Sequence, residues 1–366
     1  MSTTLTITPA HKAFDIGDEI VDQHEQVLYC RDDASGLRAI IAVHNTTLGP
    51  GFGGTRFKAY DSERDALHDV LRLSRGMTSK NALAGLPFGG GKAVIIGDPA
   101  TQKTPEILRA YGRFVEALDG LYVTAADYGT NSDDLDIVGE ETSHITGRTV
   151  AAGGSGDSGP DTAYGVFVAM RAAAETLWPE GLNDRLVGVE GAGKVGGALA
   201  RLLLDAGAIV MVADPSADAR VRLADAIHAA HPDHAARVRI SETLEGPVDV
   251  YAPCALGATV TVGRARLLGA KLVCGGANNQ LPTPYEDAAL HAAGILWVPD
   301  YVANAGGVIH LADLEMLGRS DEQVRMHLDR IAETTREILA HSADEGMPTG
   351  AAADELVAKR LAAGRA

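Results

Sequence analysis

The chain has 366 residues, 46% hydrophobic and 22% charged, a globular balance that excludes general disorder and gives room for two domains, each with its own core. A formal charge of −17, with no Lys/Arg cluster, excludes a nucleic-acid partner, because phosphate binding needs a basic face. Cys30, Cys254 and Cys274 lack metal-finger spacing and are too few to staple the fold, and neither an export signal nor an apolar run approaching ~18 residues occurs. Reduced thiols, a cytoplasmic location and no membrane contact are the expectation.

In chain order, "HEQVLYCRD" and "LRAIIAVHNTTLG" are β-branched and apolar with turn residues between them, which predicts paired strands. A helix follows in "SERDALHDVLRLSRGMTSKNALAG": Leu67, Val70, Leu71, Ser74, Met77 and Thr78 share one face, and Ser62 with Asp65 three residues later forms an N-terminal cap. Lys80 lies near its far end. The stretch "MTSKNALAGLPFGGGK" then sets Lys80 and Lys92 either side of a proline and a triple glycine. A phosphate loop is rejected by register, since Leu86 stands where glycine is required and Ala93 where a hydroxyl is required. Two lysines across a glycine hinge could instead converge on one pocket, one holding a carboxylate while the other acts as base; taken singly, each reads as an ordinary solvated or snorkelling side chain.

"KAVIIGD" predicts a strand led in by Lys92, and "LYVTAADYGT" a strand running into a loop at Asp127, where a loop cap is the plain alternative. At 151–161, "AAGGSGDSGPD" carries no apolar period and reads as an interdomain connection. Beyond it, Gly191-Ala192-Gly193-Lys194-Val195-Gly196 follows the strand "LVGVE", opens a helix, and is followed by a second strand ending in Asp214. That arrangement is a dinucleotide fingerprint: one glycine for the tight turn, one for bare backbone beside pyrophosphate, one for close packing, and an acid for the ribose hydroxyls. The acid favours NAD over NADP, with Arg220 nearby as the contrary sign. Further strands at "VDVYAPC", "KLVCGGA" and "GILWVPD" alternate with helical runs, implying a parallel sheet covered by helices, and the last forty residues read as amphipathic helix. His228, His231 and His234 are spaced by three, but Pro232 interrupts them and no other ligand joins, so no metal site is expected. Cys254 has no histidine partner nearby in sequence and is not read as a nucleophile.

In order along the chain, "GPGFGGTR", "GMTSKNALAGLPFGGGKAVIIGDP", "YVTAADYGT", "TAYGV", "GAGKVGG", "APCALG", "GGANNQL" and "PDYVANAGGVIH" resemble the amino-acid dehydrogenases acting on leucine, valine and phenylalanine, within the glutamate dehydrogenase superfamily. The resemblance spans roughly residues 20 to 345; the first twenty match nothing recognised. It implies an α/β protein of two domains. Residues 1–150 would form a substrate-binding and oligomerisation domain, rejoined by C-terminal helices from about 330 to 366, and residues 151–329 a Rossmann-type NAD-binding domain. A homo-oligomer is implied as well.

By the same resemblance, Lys80 binds the substrate α-carboxylate, Lys92 is the base that activates water, Asp127 handles protons at the substrate nitrogen, and the triple glycine lets the chain turn back. Gly53 and Gly54 line the substrate site with Met77, and Asn279 positions substrate. Thr162, Ala255 and Asn304 lie on the cofactor side with Lys194, Val195 and the three glycines. The implied reaction is reversible oxidative deamination: hydride leaves Cα, water attacks the iminium, and a 2-oxo acid and ammonium result. Closure about 151–161 would exclude bulk water. Ala125 and Val308 resemble leucine and valine enzymes more than phenylalanine enzymes, so a branched-chain L-amino acid is expected, with an aromatic one as the alternative. A sensor that binds without turnover, or an assembly protein, would leave the two lysines and the aspartate unexplained. Asp161 departs from the family pattern, standing where an apolar residue is usual, and could mark a buried charge or a remodelled hinge.

Overall fold

In β2 (Leu37–Asn45) alternate side chains point to opposite faces, and both faces are apolar. Ala39, Ile41 and Val43 join one buried cluster, Ile40 and Ala42 another, so the strand needs cover on both sides. The computed structural model, which describes residues 23–230 and 236–364, supplies it. β2 pairs antiparallel with β1 (Gln26–Asp32) and with β4 (Gly89–Ile96). β3 (Gly51–Lys58) lies parallel to β4 and to β5 (Tyr122–Ala126), giving the order β1-β2-β4-β3-β5. Helix α1 (Glu63–Ala84) brings Ala66, Leu67, Val70 and Leu71 to one face. Helix α2 (Pro105–Glu116) brings Ile107, Leu108, Tyr111 and Val115 to the other, with α3 (Ser132–Val138) packed beside it. Each such Leu, Ile or Val contributes roughly 1.5–3 kcal/mol on burial.

The predicted cap and face of α1 are both present. Ser62 Oγ accepts the Asp65 N–H at 3.1 Å, and the six residues of the predicted face are buried. Gly85, at φ 72°, ends the helix in the left-handed conformation. The last turn of α1 has no basic residue of its own. Arg360 provides the missing cation, donating from Nη1 to the carbonyls of Ala82 (3.0 Å) and Leu83 (2.7 Å).

By its contacts the chain divides into two units, one ending at Gly156 and taking in the chain from Arg360 onward, the other running Asp157–Lys359. The division falls inside the glycine- and serine-rich stretch, and of the C-terminal helices only the end from Arg360 groups with the first unit. In the second unit β6 (Leu186–Glu190), β7 (Ile209–Ala213), β8 (Val238–Ser241), β9 (Val250–Pro253), β10 (Leu272–Val273) and β11 (Leu296–Trp297) are all parallel, in the order β8-β7-β6-β9-β10-β11. The order reverses between β6 and β9, and the crevice outside the carboxyl ends of strands at such a point is where doubly wound sheets take their ligands.

Helices α4 (Gly159–Leu177), α5 (Lys194–Asp205), α6 (Ala217–Ala230), α7 (Val262–Leu267), α8 (Tyr285–Ala292), α9 (Asp300–Ala303) and α10 (Gly306–Leu311) intervene. α10 runs into a π-helical turn at Ala312–Met316. The expected terminal helix is two, α11 (Asp321–Glu345) and α12 (Thr349–Gly364), separated at Gly346, whose φ is 63°. No described helix is long and apolar enough to cross a membrane. His231, His234 and the first twenty residues lie outside the described residues; among those described, no group of three or more His, Cys, Asp or Glu could hold a metal.

Candidate active site

The triple glycine does not make the turn expected of it. Gly89, Gly90 and Gly91 open strand β4, while the reversal is made at Gly85 and the residues up to Phe88. What the glycines permit is close packing. A methyl group on Gly90 would overlap Thr78 Oγ1 and the Ser74 carbonyl of α1, and one on Gly53 would overlap the Gly91 carbonyl and press on Met77 Cγ. Asn81, fully buried on α1, seals the junction by donating from Nδ2 to the carbonyls of Gly89 (2.6 Å) and Phe52 (3.1 Å).

The packing fixes where the charges go. Lys92 shares a face of β4 with Val94, whose register partner on β3 is Arg56, so two cations rise on one side of the sheet. Asp127 follows β5 immediately. Lys92 Nζ lies 2.9 Å and Arg56 Nε 3.3 Å from the same oxygen, Asp127 Oδ2. Lys92 is 8% exposed. Burial alone would raise the Asp127 carboxyl, but Lys92 and Arg56 together outweigh it and hold the group at about 2. Its loop is pinned by Thr130, whose Oγ1 accepts the Asp127 N–H at 2.9 Å and donates to the Thr55 carbonyl at 2.8 Å. An ammonium and a carboxylate at this separation can exchange a proton.

The other substrate-side candidates are divided between the two units. Lys80 is half-buried on α1, Met77 is buried beside Gly53, and Ala125 is buried on β5 in register with Gly54. Asn279 and Val308 belong to the second unit. Asn279 takes a left-handed conformation, φ 51°, and its N–H donates to Asp300 Oδ2 at 2.8 Å; Val308 is half-buried on α10.

On the cofactor side the three glycines separate by task. Gly191, at φ 116°, makes the turn after β6, and a methyl group on Gly196 would overlap the Gly191 carbonyl. Gly193 differs. No atom lies within 4 Å of where its Cβ would be, and it caps α5 without a side-chain hydrogen bond, so the helix N-terminus is bare backbone facing open space. Asp214 accepts from the Ala192 N–H and the Ser216 N–H, both at 2.8 Å. Arg220 is drawn onto the carbonyls of Asp214 (2.6 Å) and Pro215 (3.0 Å). Lys194 is exposed and pairs with Asp157 at 3.4 Å, Val195 packs against Gly276, and Ala255 is exposed at the end of β9.

Thr162 donates to the Ser158 carbonyl at 2.9 Å and lies under Gly307. Asn304 donates from Nδ2 to Asn278 Oδ1 at 2.9 Å, while its own Oδ1, in a side chain 5% exposed, is buried with no partner. Asp161 proves to be one half of a pair, its Oδ2 lying 2.6 Å from His310 Nδ1 on α10. Burial pushes the Cys30 and Cys254 thiols to about 12, which removes both as nucleophiles at neutral pH.

Sequence reasoning missed Arg56, Asp69, Tyr60 and Tyr122. Arg56 Nη1 donates to Asp69 Oδ2 at 2.8 Å, Tyr60 OH donates to the same oxygen at 2.8 Å, and Arg72 holds Asp69 Oδ1 at 3.0 Å. Tyr122 donates to the Gly53 carbonyl at 2.7 Å. Arg56 was within reach, since it ends the motif "GPGFGGTR", but only the pairing of β3 with β4 puts it over Lys92.

Residues 24–144 match the family described as "Glu/Leu/Phe/Val dehydrogenase, dimerisation domain", and residues 217–364 match "Glutamate/Leucine/Phenylalanine/Valine dehydrogenase". The chain belongs to this amino-acid dehydrogenase family. Members are NAD(P)-dependent oxidoreductases acting on the CH–NH2 group, with a Rossmann-like sheet. The chain is 49% identical to the valine dehydrogenase of Streptomyces virginiae, covering 93% of this chain and 95% of that one. It is 43% identical to the leucine dehydrogenase of Bacillus subtilis, covering 92% and 91%. Among solved structures it is similar to the L-tryptophan dehydrogenase of Nostoc punctiforme, with a TM-score of 0.79, 36% identity, and 94% and 97% of the two chains covered.

Proposed function

We propose that the protein catalyses reversible, NAD-dependent oxidative deamination of a branched-chain L-amino acid, valine or leucine, to its 2-oxo acid and ammonium. The observation that carries the reading is the Lys92–Asp127 pair, a buried amine 2.9 Å from a carboxylate held ionised, in a chain of this family. Identities of 43–49% with valine and leucine dehydrogenases support the substrate class, as does buried Ala125, whose methyl group narrows the space beside Gly54.

Lys80 binds the α-carboxylate, and Gly53, Gly54, Met77 and Ala125 line the side chain's surroundings within the first unit. A nicotinamide held by the second unit would supply the acceptor for hydride from Cα, while the substrate ammonium gives up one proton to leave the iminium. Lys92 in its neutral form takes a proton from water, which adds to the iminium carbon. Asp127 relays the proton taken up by Lys92 to the carbinolamine nitrogen, and Lys92 takes the hydroxyl proton as the C–N bond breaks, leaving the 2-oxo acid with ammonia and a proton that depart together as ammonium. Because the base must be neutral, deamination favours alkaline pH.

The second unit fits the dinucleotide. The bare N-terminus at Gly193 suits pyrophosphate, Gly191 and Gly196 shape the turn, and Lys194 and Val195 flank it. Asp214 favours ribose hydroxyls over a 2′-phosphate, and Arg220 is already committed to two carbonyls. Thr162, Ala255 and Asn304 serve the nicotinamide side, where the unpartnered Asn304 Oδ1 suits an amide N–H donor. A homo-oligomer, through the domain whose family is named for dimerisation, and a cytoplasmic setting complete the reading. The test is NADH formation at alkaline pH with L-valine, L-leucine, L-phenylalanine, L-tryptophan and L-glutamate. Valine or leucine should rank first. A ranking led by an aromatic substrate would replace the substrate class, and binding without turnover of any of them would replace the enzyme with a sensor.

A further inference from the structure

Lys92 faces a conflict that the proposed chemistry alone does not resolve. To act as base it must lose its charge, and if it were the only cation near Asp127, that loss would strand a buried carboxylate. The carboxylate would hold the proton within the pair and the base would not be freed. Arg56 removes the conflict. Its guanidinium carries a permanent charge and lies 3.3 Å from the oxygen that Lys92 contacts.

We propose that Arg56 is a positioning residue for this reaction, the standing counter-ion of Asp127 that lets the Lys92–Asp127 pair give up its proton, and that Asp69 sets how much of that charge the pair receives. The inference rests on the proposed deamination. The charged and titratable groups that act on the pair are Arg56 on β3, Tyr60 beyond it and Tyr122 on β5, with Asp69 on α1 acting through Arg56 and Arg72 acting on Asp69. Asp69 divides the guanidinium between two anions, since it takes Nη1 while Asp127 faces Nε. Tyr60 and Arg72 in turn fix Asp69 on both its oxygens.

Opposite shifts follow from charge alone. Removing a cation beside the pair makes its proton harder to lose, and removing an anion beside that cation makes it easier. In Arg56→Gln the alkaline-rising limb of kcat/KM for the preferred amino acid should move up by on the order of one pH unit. At fixed pH kcat should fall roughly ten- to a hundredfold, with KM changed much less. Arg56→Lys keeps the charge and should restore most of the limb's position. In Asp69→Asn the limb should move down. A structural role would lower activity in each variant without moving the two limbs in opposite directions.

Superimposable profiles for the wild type and either variant, or an upward move in Asp69→Asn, would overturn the proposal. The second variant decides the matter if Arg56→Gln does not fold. If the wild type turns over no amino acid, the deamination reading fails first. The Asp127 carboxylate is then followed by infrared titration against Asp127→Asn, where Arg56→Gln must protonate it at higher pH, and an unchanged titration would overturn the counter-ion role itself.

Discussion

At Asp127, burial works to protonate the carboxylate and two cations work against it, and the cations win by enough to hold it at about 2. The sign of the consequence is fixed. A carboxylate depressed in the folded state contributes stability above its ordinary value near 3.8, and that stability is lost as pH falls through about 2. Asp127 therefore stays ionised across the neutral and alkaline range, and no inflection in a pH–rate profile between about pH 5 and 8 should trace to it. Asp127→Asn should flatten the acid-side loss of stability between those two values in a thermal-melt series. It should also cut kcat, since the amide cannot relay a proton. Asp127 stands out in the sequence only through the family resemblance, since the loop after "YVTAA" by itself reads as a cap. Its second cation does not stand out, because Arg56 and Asp127 lie 71 positions apart in sequence and meet only through the β3–β4 and β3–β5 registers. Asp161 was noticed for standing where an apolar residue is usual, yet His310, its partner, is 149 residues away.

Among the elements, helix α5 gives the clearest contrast between a glycine that the fold needs and one at which the fold leaves open space. Gly193 has φ −72°, which any residue adopts, and open space beyond it. Gly193→Ala should leave the melting temperature unchanged while weakening NAD binding by roughly tenfold or more, as measured by calorimetry. Gly196→Ala should damage both, because the added methyl group meets the Gly191 carbonyl. If Gly193→Ala bound NAD normally, the pyrophosphate assignment would be wrong. The fingerprint was readable because its glycines have local duties. The triple glycine of β4 was misread as a turn for the opposite reason: its duty is tertiary, a close approach of β4 to α1 through Thr78 and Ser74 that no local pattern announces. The cap on α1 at Ser62 was legible, but the cation at its other end comes from Arg360, nearly the whole chain away.

For the whole molecule, the second unit carries the strand order in which dinucleotides bind at the reversal, and binding to the folded state alone must stabilise it. NAD at a hundred times its Kd should add about 2.7 kcal/mol to the unfolding free energy. NADP at the same concentration should add much less if Asp214 faces the ribose as proposed, since a carboxylate there would repel a 2′-phosphate, and an equal effect would contradict the cofactor assignment. The first unit holds Lys92 and Asp127, the ion pair to which the proposed chemistry is assigned. The measurement that tests it most directly is kcat for L-valine or L-leucine at alkaline pH in the wild type and in Lys92→Ala, with NAD binding followed in both. The wild type should form NADH, and the variant should lose about 10²- to 10⁴-fold in kcat with unchanged NAD affinity. Near-wild-type turnover in Lys92→Ala would contradict the assignment of Lys92 as the base.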